Sequence, residues 1–372
     1  MEREQLRQLR SEQSNLFGEN KIKLGIFALN CSGGNLITTL SGPDSLSWPE
    51  NLRVIQLADE LGLELALPLG RFKGQGGVSN HNGATFEVFT WAAAMAQATK
   101  QITCFATSHV ALVHPLIAAK QAATIDHISG GRFGLNVVMG WFAKEMAMFG
   151  TELSEHDDRY RYGDEWIEIV KRLWSEVEPF DFRGKYFSLD AVESLPKPIQ
   201  KPGPILVNAG TSKAGIDFTA RHVDVSFGSP SKPEDINELA KVKSFADREY
   251  NRDLALMCSA PIICRETERE AKEVYHHILD KGDWAAADEM RRNLGIQSRS
   301  FEMGFEERAQ RFVVGYGANP IVGSPEQVAD QLMDYHVRGM DGVVMYFLDY
   351  HSELKYFGDR VLPLLKQAGL RV

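Results

Sequence analysis

The chain has 372 residues, 44% of them hydrophobic and 24% charged, with a formal net charge of -9. That length suits one large α/β barrel or two ordinary domains, and an acidic balance without a concentrated basic face argues against a general nucleic-acid or anionic-membrane binder. The four cysteines, Cys31, Cys104, Cys258 and Cys264, show no CxxC spacing and read as free buried thiols, with neither zinc nor disulfide expected. No apolar run approaches the ~20 residues of a membrane helix, and the polar start MEREQLRQLRSEQ lacks the apolar stretch of a signal peptide, so a cytoplasmic protein is expected.

Residues 1–20 are charged and lack an apolar stripe, which predicts a loose N-terminal arm. From Lys21 a rhythm of apolar run, loop and amphipathic segment sets in. Strand one is expected over Lys21–Leu29, a helix over Asn51–Gly62, strand two over Glu64–Leu69, a helix over Phe86–Thr99 and strand three over Ile102–His109. A helix at Pro115–Ser129 runs through Gly130-Gly131 into strand four, Phe133–Met139. Helix four is placed at Tyr160–Val177, a hairpin at Asp181–Ala191, and strands five to seven at Ile205–Ala209, Val223–Phe227 and Leu254–Cys264. Between the last two strands lies a helix, Pro233–Tyr250. Residues 266–317 read as a charged helical insertion or lid with a polar break at Gly295–Gly304. A helix capped by Ser324, strand eight at Asp341–Leu348 and a closing helix at Leu354–Gln367 complete the chain. Eight strands alternating with helices predict a parallel sheet closed as a TIM (β/α)8 barrel, a single domain over 21–372 whose chemistry sits at the C-terminal strand ends.

Polar residues at those ends form a short set: Asn30, Gly70-Arg71, Thr107-Ser108-His109, Asn136, Ser212, Ser226 and Asp349-Tyr350-His351. The set is poor in metal ligands, and no metal is expected. Asn136 is the one amide in the apolar run Phe133–Met139; an unpartnered buried amide costs roughly 1 to 3 kcal/mol, so it is either paired in the core or held open for a ligand. Thr107, on the neighbouring strand, is either its core partner or part of the same ligand surface. Ala209-Gly210-Thr211-Ser212 at a strand-to-helix turn outlines an anion site, or an ordinary N-cap serine. Arg159 and Tyr160, at the start of helix four, either meet a ligand anion or, for the arginine, pair with Asp157 and Asp158. The glycine-rich loop Gly74–Gly77 reads as flexible.

Four stretches occur together in the order DHISGGRFGLNVVMGW, EHDDRYRYGDEW, NAGTSKAG and VGSPEQVADQLMDYHVRGMDGVVMYF. In this combination the chain resembles the bacterial luciferase-like flavin monooxygenases, and within them the branch containing dimethylsulfone monooxygenase and pyrimidine oxygenase. The resemblance implies a barrel that takes FMN as reduced FMN from a separate NAD(P)H:flavin reductase and uses O2 to oxygenate a small sulfone, sulfonate or pyrimidine-like cyclic amide. It also implies a homodimer or homotetramer. Carried over by position, it implies Thr107 and Asn136 beside the flavin where oxygen reacts, and Gly70 and Arg71 along the ring. It places Glu145 in the flavin pocket, and Arg159, Tyr160, Gly210 and Ser212 around the phosphate. The branch's pyrimidine oxygenase has a lysine at Arg71, and residues 295–317 find no counterpart. The rival expectations are an oxidoreductase using the deazaflavin F420 on the same barrel and a non-catalytic flavin-binding protein.

Overall fold

Among the described residues eleven strands form in chain order: β1 (Lys23–Phe27), β2 (Leu65–Leu67), β3 (Thr103–His109), β4 (Phe133–Val138), β5 (Phe180–Arg183), β6 (Ser188–Val192), β7 (Ile205–Asn208), β8 (Val225–Gly228), β9 (Ala255–Cys264), β10 (Ile321–Gly323) and β11 (Gly342–Tyr346). This is a computed structural model, describing residues 3–40, 46–294 and 305–372. The order β9-β11-β1-β2-β3-β4-β7-β8 closes through a β8–β9 pairing, and every neighbour is parallel. The expected TIM barrel is therefore the fold, and β5 and β6 form the expected antiparallel hairpin outside it.

Strand periodicity sorts the core into two clusters. Leu24, Ile26, Cys104, Ala106, Phe133 and Leu135 face the helices, while Phe27, Phe105, Ile205, Val207, Phe227 and Tyr346 fill the barrel interior. Thr107 shares the parity of Phe105, and Asn136 that of Gly134, so both point inward. Gly134 has its own reason: a Cβ there would lie 2.1 Å from the Phe105 ring, which occupies the space a side chain would need.

Helix ends follow local chemistry. Pro115–Ser129 runs as expected and stops at Gly130, left-handed with φ 67°. Ser324 caps Pro325–Val337 in a capping box with Gln327. Two predicted helices are each split in two, Asp235–Leu239 from Lys241–Tyr250 and Tyr350–Arg360 from Leu362–Gln367. Pro363, whose ring cannot continue an uninterrupted helix, accompanies the second break.

Residues 1–20 depart from expectation. Arg3–Gln13 is a helix, and Arg10, 6% exposed, donates to the Gly203 carbonyl (2.7 Å) and to Asp224 (2.9 Å). Ser14 bonds Thr103 at the start of β3, and Leu16 joins the barrel-interior cluster, so the segment is docked across the N-terminal end of the barrel. The chain's other end is held there too, where Arg371 meets Glu64 at 2.9 Å, both side chains buried. Within 266–317 the helices Glu268–Asp280, Trp284–Asn293 and Phe305–Gly315 form as expected; the predicted break at 295–304 lies outside the described residues. Strand β10, which the sequence reading missed, extends the upper half of β9. Among the described residues no helix is long and apolar enough to cross a membrane.

Candidate active site

At the C-terminal ends of β3 and β4, Thr107 and Asn136 are direct register partners. Asn136 Nδ2 donates to Thr107 Oγ1 at 3.2 Å, and Thr107 Oγ1 donates to the Pro68 carbonyl at 2.7 Å. The two are thus bonded to each other, yet Asn136 Oδ1 is buried with no partner among the described residues. The neighbouring backbone is stapled by Asn30, whose amide bonds Leu69 N, Leu69 O and Phe86 O, so that Gly70 and Arg71 leave β2 along a fixed path. A Cβ on Gly70 would sit 3.0 Å from Thr107 Cγ2 and 3.1 Å from its carbonyl, so a side chain there would press on Thr107.

Beyond β4 the chain turns at Gly140 (φ 85°), a left-handed position that favours glycine, and presents Trp141 and Phe142. Arg71 lies 4.8 Å above the Trp141 ring. Its Nη1 is 3.7 Å from Glu145 Oε2, and both side chains are buried. Glu145 Oε1 accepts the amides of Phe72 (2.6 Å) and Lys73 (3.1 Å), which anchors the Arg71 loop to the short helix Ala143–Met148. His109 Nδ1 lies 3.9 Å from Glu145 Oε2, and Arg71 Nη2 reaches the Tyr316 hydroxyl at 3.3 Å. A cavity of about 410 Å3 opens against Gly70, Arg71, Thr107 and His109. A larger one, about 1140 Å3, lies at the opposite end among the ion pairs of the N-terminal helix, away from the strand ends where the barrel presents chemistry.

Arg159 and Tyr160 open the helix His156–Ser175. Arg161 takes the ordinary role, pairing with Asp158. Arg159 instead donates to the Gly140 carbonyl, has no carboxylate within ion-pair distance among the described residues, and keeps Nε buried and unpartnered. The Tyr160 hydroxyl neighbours the Ser212 side chain and fits the space above Gly210 and Gly215, where a Cβ would lie 2.6 and 2.7 Å from it. Ser212 also caps Lys213–His222 through Gly215 N (3.1 Å), leaving the amides of Lys213 and Ala214 beyond the reach of any intrahelical carbonyl. The N-cap reading of Ser212 is therefore the one observed. Asn208, which the sequence reading did not single out, holds this turn by accepting from Gly210 N and Thr219 and donating to the Val137 carbonyl.

The structure thus gathers Gly70, Arg71, Thr107, Asn136 and Glu145 in one place, and Arg159, Tyr160, Gly210 and Ser212 in another, with Gly140 linking the two. Other candidates serve the scaffold: Asp349 caps a helix, Tyr350 bonds the Phe27 carbonyl and His114 caps Pro115–Ser129. The Gly74–Gly77 loop is docked on the insertion, with Ser79 bonding Asp283 and Gln75 bonding Asn293. His81 and Tyr316 are the residues missed. Neither follows a barrel strand directly, and no pattern around either marks it.

Burial, with the Arg71 guanidinium nearby, pushes the His109 imidazole down to about 4 and that of His81 to about 3. An imidazole kept neutral by the fold takes up its proton near pH 6.5 once unfolded, so this contribution is complete above that pH. It is lost as pH falls from 6.5 to about 4 for His109, and on to about 3 for His81. His109→Gln should remove on the order of 2 kcal/mol of acid-induced destabilisation, read as the difference in urea-unfolding free energy between pH 7.5 and 4.5. An unchanged difference would contradict this.

The chain is 30% identical over 352 residues to an FMNH2-dependent dimethylsulfone monooxygenase of Pseudomonas putida, spanning 93% of this chain and 96% of that protein. It is 29% identical over 355 residues to the pyrimidine monooxygenase RutA of Acinetobacter baylyi, with 92% and 95% covered. A riboflavin lyase crystallised with modified FMN and riboflavin superposes with a TM-score of 0.85 at 21% identity, covering 95% of this chain and 93% of that one. The family model for luciferase-like monooxygenases matches residues 22–342, and the chain belongs to that family.

Proposed function

We propose that the chain uses reduced FMN and O2 to oxygenate a small sulfone, sulfonate or pyrimidine-like cyclic amide, with the reduced flavin supplied by a separate NAD(P)H:flavin reductase. The observation that carries this reading is the unpartnered Asn136 Oδ1 on the inner wall beside Thr107, with Arg159 Nε also buried and without a hydrogen bond at the turn beside Gly140. Native structures leave few such atoms, and these two fit the polar edge and the phosphate of a flavin.

Bound in reduced form, the flavin supplies the electrons by which one atom of O2 enters the substrate and the other leaves as water. The protein's part is placement. Thr107, locked by Pro68, fixes the Asn136 amide, whose free Oδ1 would serve as an acceptor for the flavin. Gly70 lets the loop after β2 pack directly on Thr107, while Trp141, Phe142 and the Arg71–Glu145 pair would wall the flavin and keep water out. Arg159, Tyr160, Ser212 and the first amides of Lys213–His222 offer a cation, hydroxyls and N–H donors to a phosphate dianion. The helices of 266–317 act as a wall or lid over this mouth. The acidic surface and the family likeness suit a homodimer or homotetramer, which native mass spectrometry would establish.

The direct test is turnover under labelled O2 with FMN, a flavin reductase and NADH, across sulfones, sulfonates and uracil-like amides. Label should appear in one product. If no product carries it, or if the protein binds F420 tightly and ignores FMN, the proposal fails. Arg159→Met should weaken FMN binding by about tenfold or more and leave riboflavin binding unchanged, because a charged hydrogen bond to phosphate is worth about 1.5 to 3 kcal/mol. Equal losses for both flavins would remove Arg159 from the phosphate site.

A further inference from the structure

We propose that Arg71, held between Glu145 and Tyr316, is the substrate-recognising residue of the cavity beside Thr107, and that this cavity takes an uncharged molecule through a sulfonyl or carbonyl oxygen while rejecting anions. The inference rests on the reading above that this cavity adjoins the flavin, and it narrows the substrate class.

Three observations converge. First, Arg71 is 5% exposed and lines the cavity, yet its Nε and Nη1 have no hydrogen-bond partner; only Nη2 is used, on the Tyr316 hydroxyl. Nε therefore has no acceptor, and Nη1 has only the Glu145 carboxylate at 3.7 Å, beyond hydrogen-bond distance. Second, the charge is already balanced. Glu145 lies 3.7 Å from Nη1, His109 and His81 are neutral at pH 7, and the other charged group lining the cavity is Glu87, whose carboxylate caps the helix Val88–Ala98. An incoming anion would meet one cation and two carboxylates, whereas a neutral acceptor meets free donors and the apolar walls of Phe86, Val88, Phe89, Leu112 and Val113. Third, Tyr316 is held at φ 57°, a conformation a bulky residue keeps only where its surroundings impose it. It is half-buried, and its ring lies 6.0 Å from that of His81. Tyr316 is a positioning residue: it holds Arg71 through Nη2 while Glu145 faces Nη1.

The test is calorimetric binding to the FMN-loaded protein of two matched pairs, dimethyl sulfone against methanesulfonate and uracil against its 6-carboxylate. At least one neutral probe should bind, its anionic partner on the order of tenfold or more weaker; which neutral probe binds distinguishes a sulfonyl from a carbonyl ligand. Glu145→Gln, which keeps an acceptor for Phe72 and Lys73, should shift the neutral-to-anion affinity ratio toward the anion by on the order of tenfold. Tyr316→Phe should weaken the neutral probe several-fold without moving the melting temperature. Should Glu145→Gln fail to fold, Arg71→Met serves instead and should cost the neutral probe on the order of tenfold. Anions binding as tightly as their partners, neither class binding, or an unchanged neutral-to-anion ratio in Glu145→Gln would each overturn the proposal. FMN binding by fluorescence quenching and label incorporation are read separately. Normal values there with failed discrimination sink this inference alone, whereas failure there with discrimination intact sinks the oxygenase reading.

Discussion

Asn136→Ala is expected to lower incorporation of labelled oxygen by about 10²-fold to 10³-fold, the loss typical when one preorganised polar group at a reacting centre is removed. The side chain is well prepared for such a role. Its donor is fixed on Thr107, which is itself tied to the Pro68 carbonyl, so Oδ1 is aimed without further ordering. The variant loses a buried amide whose carbonyl has no partner among the described residues, so stability should fall little and FMN binding only several-fold. Product formation by mass, a urea midpoint and a flavin titration together separate the outcomes. Full oxygenation in the variant would return Asn136 to the status of a core amide.

The largest effect on stability is expected from Arg371→Met, at about 3 to 5 kcal/mol by urea unfolding. Arg371 donates to Glu64 and Ile22 O at 2.9 Å and to Gly62 O at 2.7 Å, while Glu64 also accepts Leu24 N at 2.7 Å. One substitution would leave a carboxylate buried without its cation and free two carbonyls. The double variant Glu64→Gln/Arg371→Met should recover part of the loss, because the penalty arises from an uncompensated charge more than from the value of the intact pair. A loss under 1 kcal/mol in the single variant would show that water reaches Glu64.

The barrel was legible because its causes are local. Apolar runs such as Ile102–His109, helix stops such as Gly130 and caps such as Ser324 act within a few residues of themselves, and they recur in step around the fold. The docked N-terminal helix was not legible, since Arg10 finds Gly203 and Asp224 about two hundred positions away and nothing in residues 1–20 announces that partner. Strand β10 escaped for a similar reason: three residues are too few to show a period, and its place is set by the overhang of β9.

The candidate site divides in the same way. Thr107 and Asn136 stood out because a polar residue in an apolar strand is conspicuous, and strand parity alone then sends both into the barrel. Strand periodicity, turn chemistry and four motifs in order were enough to determine the fold, the family and the strand-end candidates. Which atoms remain free was decided by tertiary structure alone. Arg159 could have paired with a neighbouring acid as Arg161 does, and Arg71 could have been an exposed loop cation. Contacts with Gly140, Glu145 and Tyr316, distant in the chain, bury them with donors to spare, because hydrogen-bond satisfaction is settled by what packs around a side chain and not by its neighbours in sequence.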